Sequence, residues 1–314
     1  MNDQEKYHNG REPRIIFMGT PEFAVASLDA MVNAGYNIVA VITAPDRPAG
    51  RGLKPTMSAV KKYALEHELN ILQPEKLKNP EFLSELKALN AQIQVVVAFR
   101  MLPEVVWNMP PMGTINVHAS LLPKYRGAAP INWAIIHGES ETGVTTFKLT
   151  HEIDTGNILL QRRMPIQEND TAGEVHDKLK IAGAELLILT INGLLNGSIT
   201  EKPQDMTHTT HAPKIFTETC RIDWTQPVKN IHDLVRGLSP FPGAFTEWEG
   251  KMLKIFRSER LQHEPTMPPG TPETDNKKFL RFAGGDGYLY VKELQLEGKK
   301  KMLTEDFLRG YRSA

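Results

Sequence analysis

Asn116 and His118 set an amide and an imidazole two residues apart, a pair able to steady a developing charge and move a proton. They lie in residues 113–130, GTINVHASLLPKYRGAAP. An amide offers a directed hydrogen-bond donor, and an imidazole can take or give a proton near neutral pH. They alternate with Ile115 and Val117, and successive side chains of a strand point to opposite faces. A strand here sends Ile115 and Val117 to a core and brings Asn116 and His118 out side by side. Ser120 follows in the same phase if the strand continues. Pro123 and Gly127 then break regular structure, with Lys124, Tyr125 and Arg126 between them. Such a strand end has the form of an active-site edge; a buried polar pair satisfied by its neighbours is the plain alternative. A third group, Asp154, lies in residues 150–156, THEIDTG. Asp-Thr-Gly is also an ordinary turn, since Asp bonds its own backbone and Gly tolerates positive φ.

The segments around these groups follow an α/β pattern. Residues 14–18 (RIIFM) read as a buried parallel strand, Pro21 suits the first turn of a helix, and residues 37–43 (NIVAVIT) read as a second buried strand. This is a βαβ opening. Its turn is Gly19-Thr20-Pro21-Glu22, so the G-x-G-x-x-G dinucleotide fingerprint is absent and a nucleotide-dependent oxidoreductase is disfavoured. Residues 44–55 (APDRPAGRGLKP) form a basic loop with Arg47, Arg51 and Lys54 at the carboxyl end of the second strand, where open α/β sheets bind ligands. Further along, residues 57–68, 80–89 and 128–137 read as helices, and residues 71–72 and 94–99 as strands. Residues 143–149 and 157–164 form a hairpin whose loop carries His151, Glu152 and Asp154. Residues 170–174 (DTAGE) read as an N-cap followed by a long helix from Glu174 to about residue 194.

Residues 198–213 are polar and aperiodic and read as an interdomain linker. His208 and His211 within it have too little company for a metal site. Beyond it, residues 228–237 read as a helix and residues 245–256 as a hairpin turning at Glu249-Gly250. Residues 279–283 and 288–296 add strands, which together suggest a small antiparallel barrel. Residues 208–314 hold 17 Lys and Arg against 14 Asp and Glu, a basic balance compatible with RNA.

Composition narrows the function classes. The 314 residues suit roughly two domains. Lys plus Arg and Asp plus Glu are both 37, so a generic polyanion binder is disfavoured. The single cysteine, Cys220, cannot form an internal disulfide and reads as structural. No run approaches the ~18 apolar residues of a membrane span. Residues 1–13 lack the apolar core of a signal peptide and the basic amphipathic repeat of a transit peptide, so a cytoplasmic protein is expected. With no apolar helix face or edge strand standing out, a monomer is expected.

The blocks IIFMGTPEFA, APDRPAGRG, INVHASLLPKYRGAAPI, GVTTFKLTHEIDTG, RIDW and GLSPFPGAF occur in this order over nearly the whole chain. In them the chain resembles the methionyl-tRNA formyltransferase family. The resemblance implies a Rossmann-like, mostly parallel α/β sheet domain over residues 1–206, followed by a small OB-like β-barrel over residues 207–314 that binds tRNA. It implies transfer of a formyl group from 10-formyltetrahydrofolate to the amino group of methionine on initiator tRNA, with no metal. It implies catalytic roles for Asn116, His118 and Asp154. Ser120, Leu121, Leu122, Pro123, Arg126 and Gly127 would meet the folate, and Arg47, Arg51 and Lys54 the tRNA. The chain departs from the family in carrying Phe99-Arg100 where a Tyr-Gly pair is frequent, and Glu152-Ile153 before Asp154. The nearest alternative is a folate-dependent formyltransferase acting on another amine, such as an amino-sugar nucleotide.

The implied chemistry suits the residues. An amine attacking a formyl carbonyl generates an oxyanion, which the Asn116 amide and a protonated His118 can stabilise. A carboxylate such as Asp154 favours the charged imidazole.

Overall fold

The computed structural model describes residues 13–49 and 54–310. These fall into two compact units. The first gathers the chain up to Arg126, Gly143–Met164 and Asp177–Thr210; the second gathers Gly127–Thr142, Pro165–His176 and the chain from His211 onward.

The chain opens with β1 (Ile15–Gly19), α1 (Glu22–Asn33) and β2 (Ile38–Ile42). The two strands are parallel, with Phe17 opposite Val41. All five residues of β1 are buried, as expected of a strand covered on both faces. Next come β3 (Arg47–Ala49) and β4 (Lys54–Thr56), which pair antiparallel. The basic stretch read from composition as a loop is therefore a two-stranded ribbon at its described ends. Asp46, at its base, bonds Lys61 Nζ at 2.6 Å and Gln73 Nε2 at 3.0 Å. These hydrogen bonds hold its carboxyl below the ordinary range.

After α2 (Ala59–Glu66), β5 (Ile71–Leu72) and α3 (Pro80–Ala88) come β6 (Ile93–Val97), α4 (Glu104–Trp107) and β7 (Thr114–His118). Ser58 caps α2 by accepting the Lys61 N–H, and Asn79 caps α3 by accepting the Glu81 N–H. Then follow β8 (Arg126–Gly127), α5 (Pro130–Ile136), β9 (Glu141–Lys148), β10 (Ile158–Pro165) and α6 (Ala172–Leu195). The first unit's sheet has the order β10-β9-β7-β6-β1-β2-β5. β5, β2, β1, β6 and β7 run parallel, and β9 runs antiparallel to β7. One face carries Ile16, Met18, Ile42 and Val96 against Phe82 and Leu86 of α3. On the opposite side Gly183 of α6 lies close over Val117, and Thr190 of the same helix bonds Thr146 at 2.8 Å. The strand order reverses around β1, where open α/β sheets place ligands beyond the strands' carboxyl ends.

The second unit adds β11 (His211–Ala212), α7 (Val228–Gly237), β12 (Ala244–Trp248) and β13 (Lys251–Leu261). It continues with β14 (Pro272–Thr274), β15 (Leu280–Ala283), β16 (Tyr288–Leu296), β17 (Met302–Leu303) and α8 (Thr304–Gly310). The strands form a curled antiparallel half-barrel, β12-β13-β16-β15-β14, with β17 on β16. Trp248 faces Lys251 across Glu249 and Gly250, whose φ values of 47° and 73° make the two-residue turn expected there. The core stacks Trp224 on Phe282 at 4.6 Å and sets Trp248 edge-on to the same ring. Ile231 and Val235 of α7 join that core, as does buried Cys220. Burial raises the Cys220 thiol above its ordinary pKa, which suits a structural role.

Within the expected cap segment 170–174, Thr171 caps α6: the Thr171 N–H donates to Glu174 Oε2 at 2.8 Å and the Glu174 N–H donates back to Thr171 Oγ1 at 3.3 Å. This is a capping box, which starts the helix at Ala172, whereas Asp170 accepts the Gln167 N–H in the preceding turn.

Candidate active site

β7 carries the site. Its neighbours fix its register: Asn116 lies between Val96 and Phe147, and His118 lies opposite Thr145. Asn116 and His118 share a face by strand alternation, with Asn116 half-buried and His118 buried. The Phe147 ring meets the imidazole edge-on at 6.5 Å.

The imidazole is oriented by one bond. His118 Nε2 lies 2.9 Å from the Tyr125 carbonyl oxygen. A carbonyl only accepts, so Nε2 carries the hydrogen and donates. Nδ1 is the nitrogen that faces Asp154, whose Oδ2 is 3.8 Å away. That is ion-pair distance, and both side chains are largely buried, at 8% and 11% exposure. Asp154 has φ of 55°, a left-handed conformation in which Asp is among the tolerated residues. Two residues on, a Cβ at Gly156 would stand 1.6 Å from the Lys148 carbonyl oxygen. Only glycine lets the turn carrying Asp154 close against β9.

The loop after β7 is tied down from below. Thr145 Oγ1 donates to the Ser120 carbonyl at 2.7 Å and accepts the Leu122 N–H at 3.1 Å. Gln161 Nε2 bonds both the Leu122 carbonyl and Thr145 Oγ1. Ser120 is buried and its hydroxyl donates to the Lys124 carbonyl at 2.6 Å. Leu122 is buried too, while Leu121 and Pro123 are half-buried. Arg126 is buried, with its Nε and Nη2 on Gln204 Oε1 at 3.2 and 2.5 Å. Gly127 has φ of 122°, and a Cβ there would lie 2.7 Å from the Ala212 carbonyl oxygen. Ser120, Leu122 and Arg126 thus point inward and shape the loop, while Leu121 and Pro123 retain exposed surface.

Arg47 is exposed on the ribbon, and Lys54 lies on β4, where it pairs with Ala49. Arg51 lies outside the described residues. The departure at Phe99-Arg100 has a structural use: the Arg100 guanidinium bonds the carbonyls of Pro74 and Glu75 and lies 5.6 Å from the Phe99 ring centre. Burial, and then the charge of Arg47, lower the Arg100 pKa. Among the described residues no cluster of three or more His, Cys, Asp or Glu could hold a metal ion, and no helix is long and apolar enough to cross a membrane. Sequence reasoning missed Thr145, Gln161, Gln204 and Thr210; Thr145 sits in a block that carries the resemblance but has no chemistry of its own to mark it, the other three are ordinary polar residues without a motif, and only the fold brings them to the site loops.

Residues 13–191 match a family model described as Formyl transferase, and residues 214–312 match one described as Formyl transferase, C-terminal domain. A methionyl-tRNA formyltransferase of Bacteroides fragilis is 55% identical over 307 residues, covering 95% of each chain. One from Parabacteroides distasonis is 56% identical over 310 residues, covering 95% of this chain and 96% of its own. Among solved structures, an N-formyltransferase from Helicobacter canadensis, in complex with folinic acid and dTDP-3-aminofucose, shares the fold. Its TM-score is 0.69 at 22% identity, over 92% of this chain and 99% of that one.

Proposed function

Because the chain belongs to the methionyl-tRNA formyltransferase family, we propose that it transfers the formyl group of 10-formyltetrahydrofolate to the α-amino group of methionyl initiator tRNA. The observation that carries the chemistry is His118, pinned through Nε2 to the Tyr125 carbonyl with Nδ1 turned to Asp154. The acceptor rests on the likeness to relatives of that activity along both units.

The side chains divide the work. The Asn116 amide donates to the oxygen that gains charge as the amine attacks the formyl carbon. His118, working through Nδ1, lends a proton to that oxygen, and the Asp154 carboxylate balances the imidazolium. The attacking amine loses one proton and the departing folate nitrogen gains one, so His118 and Asp154 pass a proton across with no net change. The path involves direct attack, without a formyl-enzyme adduct. Leu121 and Pro123 offer the folate its apolar wall, and Ser120, Leu122, Arg126 and Gly127 shape the loop behind it. Arg47 and Lys54 of the ribbon, together with Arg51, meet the acceptor stem of the tRNA. Residues 1–206 carry the transfer and 207–314 meet the RNA; the enzyme works as a cytoplasmic monomer.

The test is formyl transfer from 10-formyltetrahydrofolate to charged initiator Met-tRNA, with charged elongator Met-tRNA as control. Transfer to the initiator alone is expected. Transfer to neither, with folate binding intact, overturns the tRNA reading and directs the search to small amines such as amino-sugar nucleotides.

A further inference from the structure

We propose that residues 204–210, which read from sequence as part of a linker, form a strap that sets the distance between His118 and Asp154, with Gln204 as its positioning residue. This rests on the functional reading above, and it concerns residues that touch neither reactant in that reading.

Gln204 uses all of its hydrogen-bonding capacity in one place. Its Nε2 lies 2.8 Å from the Asp154 carbonyl oxygen and 2.8 Å from the Gly156 carbonyl oxygen. Its Oε1 accepts from Arg126 Nε and Nη2. Carbonyls only accept and a guanidinium only donates, so the amide has one orientation that satisfies all four bonds. Glu in its place would lack the two donors, and Lys the acceptor. Gln204 and Arg126 are both buried, at 9% and 5% exposure, where each unmade bond is expensive. The two carbonyls held by Gln204 bracket the turn in which Asp154 takes its left-handed conformation. Fixing both carbonyls fixes the direction in which the Asp154 carboxylate leaves the backbone.

The other end of the strap holds the imidazole. Thr210 Oγ1 accepts the Tyr125 N–H at 2.8 Å, and the Thr210 carbonyl accepts the Arg126 N–H at 3.0 Å. The Tyr125 carbonyl is the group that receives the His118 Nε2 hydrogen. One short segment therefore grips the Asp154 turn through Gln204 and the Tyr125 carbonyl through Thr210. Arg126 braces the two grips against each other. A misplacement of about 1 Å between reacting groups can cost ~100-fold in rate, so the strap acts on kcat rather than on binding.

The test compares Gln204→Glu with wild type by kcat, by KM for 10-formyltetrahydrofolate, by pH–rate profile and in an Asp154→Ala background. Gln204→Glu keeps the bonds to Arg126 and removes both donors to the turn. The expected result is a fall in kcat of roughly 10- to 100-fold, a KM within about twofold, a displaced acid limb of the kcat profile, and little further loss when Asp154 is already absent. A kcat unchanged by Gln204→Glu overturns the proposal, as does an equal fold-loss with and without Asp154, or a loss confined to KM. If Gln204→Glu fails to fold, Thr210→Val and Thr210→Ser decide. Loss of kcat in the first with wild-type kcat in the second supports the strap, and any other pattern overturns it. Wild type that transfers no formyl group defeats the functional reading itself; an active wild type with an equally active Gln204→Glu defeats the strap alone.

Discussion

His118 donates through Nε2 to the Tyr125 carbonyl at 2.9 Å, and this single bond turns the other ring nitrogen toward Asp154. The pair therefore divides its tasks: His118 exchanges the proton and Asp154 supplies the balancing charge. His118→Asn keeps a polar group of smaller reach but removes the exchangeable proton. Asp154→Asn keeps the shape and removes the charge. Each is expected to lower kcat by ~100-fold or more, with 10-formyltetrahydrofolate binding close to wild type by calorimetry. Near-wild-type kcat in either variant would remove that residue from the chemistry.

Gly156 offers a test of the turn rather than of the charge. A methyl group there would meet the Lys148 carbonyl oxygen at 1.6 Å, so backbone must move. Gly156→Ala is expected to cost about 1–3 kcal/mol of stability in urea unfolding. It should also lower kcat by ~100-fold through displacement of Asp154. Gly35→Ala is the control: φ there is 75°, but nothing lies within 4 Å of the added carbon. It should cost about 1 kcal/mol and leave kcat unchanged.

Much of this fold is legible because period and turn chemistry act locally. Strand alternation is enough to put Asn116 and His118 on one face, and Glu249-Gly250 announces its own hairpin. The buried runs at β1 and β6 declare a covered parallel sheet. The pairing of His118 with Asp154 is not local, since each residue taken alone has a sufficient structural explanation. The family resemblance joins them, and the fold brings them to 3.8 Å. Gln204 is invisible for a different reason. A polar, aperiodic segment has the composition of a solvated linker, and nothing in it signals that its backbone and one amide are needed elsewhere. At α6 the cap segment 170–174 is legible, but Asp170 and Thr171 are both good caps, and only the reciprocal bonds with Glu174 select Thr171 and start the helix at Ala172 rather than Glu174.

The capping box also carries a pH signature. Burial raises the Glu174 pKa, but hydrogen bonds from Arg257 and Thr171 outweigh it and bring the carboxyl down to about 2. The carboxylate form is thus favoured by folding. Its contribution is present above about 4.5, the ordinary value, and is lost as pH falls toward 2. Glu174→Gln should flatten the acid dependence of unfolding in that window. Thr171→Ala should cost about 1 kcal/mol at neutral pH. An acid profile identical to wild type in Glu174→Gln would show that the carboxylate is no more favoured folded than unfolded.

His232, in α7, gives the second unit a sensitivity at milder pH. It is buried, with Nε2 donating to the Glu168 carbonyl at 3.4 Å and Nδ1 accepting from Ser258 Oγ at 2.9 Å. Burial lowers its pKa from the ordinary 6.5; the charges of Arg236 and Arg260 act the same way, while the Glu168 bond and Asp233 oppose them. The folded chain therefore resists the proton that the unfolded chain accepts. Stability from neutral His232 is complete above 6.5 and declines as pH falls below it, until the depressed folded pKa is passed. One such proton is worth at most about 1.4 kcal/mol per pH unit. His232→Gln keeps a side chain able to bond Ser258 and the Glu168 carbonyl but cannot titrate. Urea unfolding followed by tryptophan fluorescence from pH 8 to pH 5 should show the wild type losing stability more steeply than His232→Gln below pH 6.5. Parallel pH profiles for the two proteins would show that His232 takes up its proton equally well in the folded and unfolded chain.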